Sequence, residues 1–278
     1  AVSGLDVGQL VTINPMMVCG DCDVCLAGRG QWCSRRVVLG VTPEPPAAFA
    51  DLVLVPATNI VVLPETMPAE LGALVEPMAV GYHAVRRGGI TPDDRVLVIG
   101  GGPIGQACLM AARRVGVTAV AVSDISASRR ALCARLGAIV IDPAESDLAT
   151  ATADALGGPA TLVVDAVGIS RTLTDAFAAS GLGARIVLVG MGAPRVELPA
   201  YAVSTEERTL VGSFTYTAEE FAATAAWGPV PAGIEALVDG RVGWDGAPQS
   251  FDDLARGRTS ASKILVFPQG PPATEAGS

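Results

Sequence analysis

The chain has 278 residues, half of them apolar, so it can bury one large core or two and disorder is excluded. Aromatic residues make up only 4%, while Ala, Val, Gly and Leu dominate, a composition suited to close packing of helices on a sheet. With 28 acidic against 19 basic residues the net charge is -9, a field that repels phosphate backbones and anionic membrane surfaces, so neither nucleic acid nor a membrane is an expected partner.

Up to about Pro64 the chain reads as β-rich. "QLVTI" and "ADLVLVP" are short apolar or alternating runs bounded by Gly and Pro, interrupted by a cysteine-rich lobe. The chain opens on Ala1, and "AVSGLDVGQLVTI" reads as the middle of such a region, so a preceding segment is expected. From Pro68 to Arg87 the apolar period becomes helical, in "PAELGALV" and in "EPMAVGYHAVRR", the second opened by an acid and a proline. A strand-helix rhythm follows. "RVLVIG", "TAVAVSD", "AIVID", "TLVVDAVG" and "ARIVLVG" are strands, and helices lie at "PIGQACLMAARRVG", "SASRRALCARLG", Ser146 to Leu156 and Ser170 to Ala179. Continuous apolar strands alternating with helices predict an α/β fold with a doubly wound parallel sheet.

The longest uncharged run, Val96 to Ala112, approaches membrane-spanning length, but its glycines, Pro103 and Gln106 make it a strand, turn and helix. No signal peptide, transit peptide or lipidation site is seen, and a cytoplasmic location is expected. After Met191 the rhythm is expected to break: "LVGSF" precedes helix-like "AEEFAATAAWG", "AGIEALVDG" and "SFDDLARG". A last strand, "SKILVF", leads into a Gly/Pro-rich tail expected to fray.

In "VLVIGGGPIGQA", Gly100, Gly102 and Gly105 form G-x-G-x-x-G, with Ile104 inside it, between a strand and a helix. The first glycine suits the tight turn, the second a close approach of pyrophosphate to the backbone, and the third helix-strand packing, with the helix N-terminus facing the phosphates. Asp124, at the end of the next strand, is placed to accept hydrogen bonds from an adenosine ribose. Its charge disfavours the extra phosphate of NADP and its neighbour Ile125 offers no cation, so NAD is the expected cofactor. Arg129 could reach the ribose or adenine, or, with Arg130 beside it, belong to a solvated helix face.

Cys19, Cys22, Cys25 and Cys33 have the spacing C-x2-C-x2-C-x7-C. Four thiolates close a tetrahedral ion and leave no place for water or substrate, so the site is structural, and a lobe this small must take folding energy from its metal. Zinc is favoured, with an iron-sulfur cluster as the alternative. Cys108 and Cys133 sit among Ala and Leu and read as buried helix cysteines.

The cysteine lobe, "LVEPMAVGYHAVRRG", "VLVIGGGPIGQACLMAARRVG" and the terminal "FDDLARGRTSASKILVFP" together resemble the zinc-dependent medium-chain alcohol dehydrogenases, above all their sorbitol, butanediol and threonine dehydrogenase branch. The resemblance implies a GroES-like catalytic domain, incomplete here (1–77, with the lobe at 19–33), a Rossmann NAD-binding domain (78–213) and a C-terminal return to the catalytic domain (214–278). It implies hydride transfer from a polyol or secondary alcohol to NAD, with a second, catalytic zinc in the interdomain cleft and assembly as a homo-oligomer, a dimer or tetramer. On that pattern Glu76 binds the catalytic zinc or its water, although an acid at a helix start also suits the dipole. Val167 and Gly168, and Val189, Gly190 and Met191, are implied to touch the cofactor from the strand ends. Family members carry a Cys and a Gly-His-Glu segment before the stretch resembling "VSGLDVGQLVTINP"; the sequence here supplies neither. His83, the only histidine, is expected to pack under the cofactor site and not to bind zinc. The alternative to the enzyme is a catalytically incompetent module that keeps dinucleotide and structural zinc.

Overall fold

The computed structural model describes residues 3–41, 49–227, 234–259 and 261–270. The N-terminal part consists of short antiparallel pairs: β1 (Val11–Ile13) and β2 (Met16–Met17) precede the cysteine lobe with its short α1 (Asp23–Leu26), and β3 (Val37–Val38) and β4 (Ile60–Val62) follow it. β1 pairs with β4 and β2 with β3. The buried Asn59 joins the two pairs, its Nδ2 donating to the carbonyls of Asn14 at 2.7 Å and Met16 at 3.0 Å. The strand expected in "ADLVLVP" is not formed: residues 51–56 have no ladder partner among the described residues, and Leu52 and Leu54 are 90% and 92% exposed. Alternation alone cannot make a strand where no neighbouring backbone supplies hydrogen bonds.

The helical run is broken at Ala73 and Leu74 into α2 (Ala69–Gly72) and α3 (Val75–Arg87). α3 buries Met78, Ala79, Gly81, His83 and Ala84. Gly81 is where it crosses the first helix of the strand-helix series: a Cβ there would lie 2.4 Å from the carbonyl carbon of Ala107, so no larger residue fits.

The series itself runs β5 (Val96–Ile99), α4 (Pro103–Val115), β6 (Val120–Ser123), α5 (Ala127–Arg135), β7 (Ile139–Ile141), α6 (Leu148–Leu156), β8 (Ala160–Asp165), α7 (Ser170–Ala179), β9 (Ser180–Leu188), α8 (Ala200–Thr205) and β10 (Thr209–Gly212). Six strands form one parallel sheet in the order β10-β9-β8-β5-β6-β7. The order reverses beside β5, the switch point at which such sheets bind ligands. Because successive strand residues face opposite ways, Val96, Val98, Leu162 and Val164 pack under α4 with Cys108, Leu109 and Cys133. Leu97, Ile99, Val163 and Ile186 pack under α6 and α7 with Leu156, Leu173 and Phe177. Both lone cysteines are fully buried, as their apolar neighbours imply. The rhythm expected to break after Met191 instead continues through α8 and β10, which extends the sheet beside β9.

Beyond the sheet lie α9 (Ala218–Ala225), β11 (Val238–Val242), α10 (Ala247–Ala255) and β12 (Lys263–Val266). Of "AGIEALVDG", Ala232 and Gly233 lie outside the described residues; the rest is not the helix its composition suggested, a single 3-10 turn at Ile234–Leu237 running into β11, which pairs in parallel with β12. β-branched Val238 and Val242 and the glycine between them suit a strand better than a helix. The tail beyond Gly270 lies outside the described residues. No helix of the described chain is long and apolar enough to cross a membrane.

Candidate functional site

The glycine loop between β5 and α4 is shaped by contacts that exclude side chains. Gly100 takes φ +97° beneath Val167, and a Cβ on Gly105 would lie 1.7 Å from the carbonyl oxygen of Gly100. At Gly102 nothing lies within 4 Å of such a position, so the backbone there faces open space in front of the α4 N-terminus. Pro103 opens the helix, and the first-turn N–H groups at Ile104 and Gly105 have no intrahelical acceptor. The loop is held from behind: Gln106 Nε2 donates to the carbonyl of Gly101 at 2.7 Å, and the Gly101 N–H donates to Asp124 Oδ2 at 2.7 Å.

Asp124 ends β6, and its other oxygen accepts from the N–H of Ser126 at 2.7 Å. Each carboxylate oxygen keeps a second lone pair. Arg129 Nη1 lies 3.7 Å from Oδ2, and Arg130 donates to the Asp124 carbonyl at 2.7 Å. Asp124, Ile125, Arg129, Val167 and Arg171 line a cleft of about 340 Å³ that opens beside the glycine loop. A glycine turn, a carboxylate and this cleft are the parts a dinucleotide needs for pyrophosphate, ribose and adenine.

The strand ends of β8 and β9 are locked to each other. Asp165, fully buried, accepts from the N–H groups of Val167 and Gly168, both at 2.9 Å, and from Thr172 Oγ1 at 2.9 Å. Burial pushes its carboxyl above the usual range despite those bonds. The Gly192 N–H donates to Val167 O and the Ala193 N–H to Gly168 O, both at 2.9 Å. A Cβ on Gly168 would lie 2.2 Å from Gly190 O, which makes both loops glycine-dependent. Val167, Gly168, Val189, Gly190 and Met191 therefore meet at the carboxyl ends of two neighbouring interior strands. Sequence reading passed over Asp165, although an acid closing an apolar strand was the available signal.

In the lobe the four thiols converge: Cys19 and Cys25 Sγ are 3.7 Å apart, Cys22 and Cys33 3.9 Å, and Cys19 and Cys33 3.5 Å. A tetrahedron with Zn–S bonds of about 2.3 Å has edges of about 3.8 Å, so these residues fit zinc. Among the described residues they are the only group of three or more Cys, His, Asp or Glu that could hold a metal.

Glu76 stands at the start of α3, where Tyr216 Oη donates to its Oε1 at 3.3 Å. Burial raises its carboxyl above the usual range, partly offset by the charge of Lys263 and the Tyr216 hydrogen bond, while burial beside Glu76 raises the Tyr216 phenol. Among the described residues Glu76 belongs to no group of three or more Cys, His, Asp or Glu that could hold a metal, so these residues do not by themselves fit a catalytic zinc. His83 is buried, as expected of a packed histidine, and its Nδ1 is 2.7 Å from Glu220 Oε2. Glu220 also closes a capping box with Thr217 at the start of α9. This pairing across 137 residues had no local signal in the sequence.

An open parallel sheet with a glycine turn at its switch point, beside a lobe in which four thiols converge, is the arrangement of an α/β protein with a candidate nucleotide cleft and a candidate metal site. Comparison with known proteins narrows the class. The family model for the alcohol dehydrogenase GroES-like domain matches residues 1–65, and that for zinc-binding dehydrogenases matches residues 103–228. Over 268 residues, 93% of this chain and 74% of the relative, the sequence is 31% identical to a probable D-xylulose reductase A of Neosartorya fischeri. It is 33% identical to sorbitol dehydrogenase of Arabidopsis thaliana over 221 residues, 77% of this chain but only 60% of that protein. The crystal structure of a putative zinc-binding dehydrogenase from Sinorhizobium meliloti bound to NADP superimposes with a TM-score of 0.85 at 29% identity, covering 96% of this chain and 79% of that one. The chain belongs to the zinc-dependent medium-chain alcohol dehydrogenases, in their sorbitol dehydrogenase-like branch.

Proposed function

We propose that this chain carries the coenzyme-binding and structural-zinc parts of a polyol dehydrogenase that oxidises a secondary alcohol to the ketone with NAD. The observation that supports it most is the glycine loop hydrogen-bonded to Asp124 at the mouth of the cleft beside α4. NAD, when bound, supplies the acceptor for the hydride. The loop and the α4 N-terminus hold the pyrophosphate, and Asp124 accepts from the ribose hydroxyls through its remaining lone pairs. NAD is favoured over NADP because the cations nearest this cleft already face carboxylates, Arg129 that of Asp124 and Arg171 that of Asp175. The backbone at Val189 to Met191 and Val167 to Gly168 holds the nicotinamide end. On this reading 1–77 and 214–278 form the substrate side, with Glu76 as its carboxylate, and 78–213 the coenzyme side.

Cys19, Cys22, Cys25 and Cys33 hold a zinc that fixes the lobe and takes no part in hydride transfer. Since Glu76 belongs to no group of three or more metal-holding side chains among the described residues, no step is assigned to a catalytic metal. The alternative reading is a module that binds NAD and structural zinc without turnover. Following NADH formation from sorbitol and xylitol separates the two: steady turnover supports the dehydrogenase, and binding of NADH without turnover supports the module.

A further inference from the structure

Between the cysteine lobe and the ends of β9 and β10 lies an open cleft of about 600 Å³, whose lining includes Gln31, Arg36, His83, Arg87 and Ser213 together with Val189 to Met191, the backbone proposed above to hold the nicotinamide end, so the cleft adjoins the coenzyme site. In a chain of net charge -9 this lining is anomalous: it holds two guanidinium groups and no carboxylate, and its one imidazole is paired with Glu220 from outside the lining. Both arginines are positioned without being neutralised. Arg36 lies over the Phe214 ring at 5.7 Å and donates to the Cys33 carbonyl at 3.1 Å. Arg87 lies over the Trp32 ring at 6.0 Å and donates to the Gly212 carbonyl at 3.3 Å. Rings and carbonyls fix a guanidinium in place but leave its charge and most of its five N–H donors free for a ligand.

The neutral groups point the same way. Gln31 is 6% exposed, yet its Oε1 has no hydrogen-bond partner, and the buried Ser213 Oγ has none either. A half-turn of the Gln31 carboxamide presents its NH2 to a ligand, and the serine hydroxyl can donate. His83 is oriented from behind by Glu220 on Nδ1, which leaves Nε2 as the ring atom available to a ligand. So many donors around one space exceed what the two oxygens of a carboxylate accept and suit the three oxygens and greater charge of a phosphomonoester.

We propose that this cleft is a phosphate subsite and that the preferred substrate is a phosphorylated polyol. The proposal rests on the dehydrogenase reading for its reacting end. His83 lies seven residues beyond Glu76 on the same face of α3, which puts the two about 10 Å apart along the helix, a separation that a polyol chain spans. The phosphate would sit against Arg36, Arg87 and His83 while the hydroxyl to be oxidised faces the nicotinamide and Glu76.

The test is calorimetric titration of the full chain with sorbitol phosphate, sorbitol, gluconate and inorganic phosphate, each with and without NADH, on wild type and on Arg36→Gln and Arg87→Gln. Sorbitol phosphate is expected to bind at least about tenfold tighter than sorbitol, with inorganic phosphate competing, and each variant to lose about tenfold for sorbitol phosphate and to weaken for inorganic phosphate, with sorbitol unaffected. NADH affinity and the unfolding temperature should be unchanged in both variants, which separates loss of the subsite from loss of fold. Equal binding of sorbitol and its phosphate, equal binding of gluconate, or unaltered phosphate binding in both variants would overturn the subsite. Sorbitol phosphate bound by a chain that does not bind NADH would support the subsite and sink the dehydrogenase reading instead.

Discussion

The Gly101 N–H donates to Asp124 Oδ2 at 2.7 Å, tying the glycine loop to the end of the neighbouring strand. One carboxylate thus shapes the loop proposed to hold pyrophosphate and faces the space proposed for ribose. The two halves of the coenzyme site are therefore built as one unit, and a change at Asp124 disturbs both.

Replacing Gly105 by alanine tests that unit sterically. The new Cβ would lie 1.7 Å from the Gly100 carbonyl oxygen, so the loop or α4 must move. The expected cost is about 3 kcal/mol or more of stability in urea unfolding, with loss of NADH binding. Gly102→Ala is the control: no atom lies within 4 Å of its Cβ position, so it should fold normally and lose affinity only through intrusion on the cofactor.

Burial alone would raise the carboxyl of Glu220, but the His83 hydrogen bond and the Thr217 N–H hold it below its ordinary value of 4.5. A carboxylate lowered on folding contributes stability that is present above the unfolded value and is lost as pH falls through the folded value. Thermal unfolding should therefore show a loss below about pH 4.5 that is smaller in Glu220→Gln. At neutral pH that variant should be less stable by about 2 kcal/mol, since it weakens both the bond to His83 and the α9 cap.

Glu76 has the opposite sign. Burial raises its carboxyl, so the folded state holds the proton more tightly, and stability declines as pH rises from the unfolded value of 4.5 through the folded one. Glu76→Gln should be more stable than wild type above that window, measured by urea unfolding at neutral pH, and should have no alcohol oxidation.

Metal analysis of the purified chain should find close to one zinc. Cys33→Ala should lose it, and the lobe should become protease-sensitive while the parallel sheet keeps its circular dichroism, because the core under α4, α6 and α7 contains none of the four thiolates. Two zincs per chain would show that further ligands join Glu76.

Much of the sheet was legible because its signals are local. Each of its first five strands is a short apolar run closed by Gly, Ser or Asp, and Ser126 and Asp147 cap α5 and α6 through side chains adjacent in sequence. The cysteine lobe was legible for the same reason. What failed was non-local: residues 51–56 alternate like a strand, but a strand exists only where a partner runs beside it. The Glu220 pairing with His83, the Tyr216 bond to Glu76 and the basic cleft join residues from distant parts of the chain, which no spacing encodes. Asp165 was a different kind of miss, a local signal hidden among apolar neighbours.

The central claim is that a coenzyme site built around Asp124 selects NAD. Fluorescence titration of the chain with NADH and with NADPH tests it most directly, with Asp124→Ala alongside. Saturable NADH binding at least about tenfold tighter than NADPH is expected, with that preference lost in the variant. NADPH binding as tightly as NADH, or no binding of either by the folded chain, would contradict it.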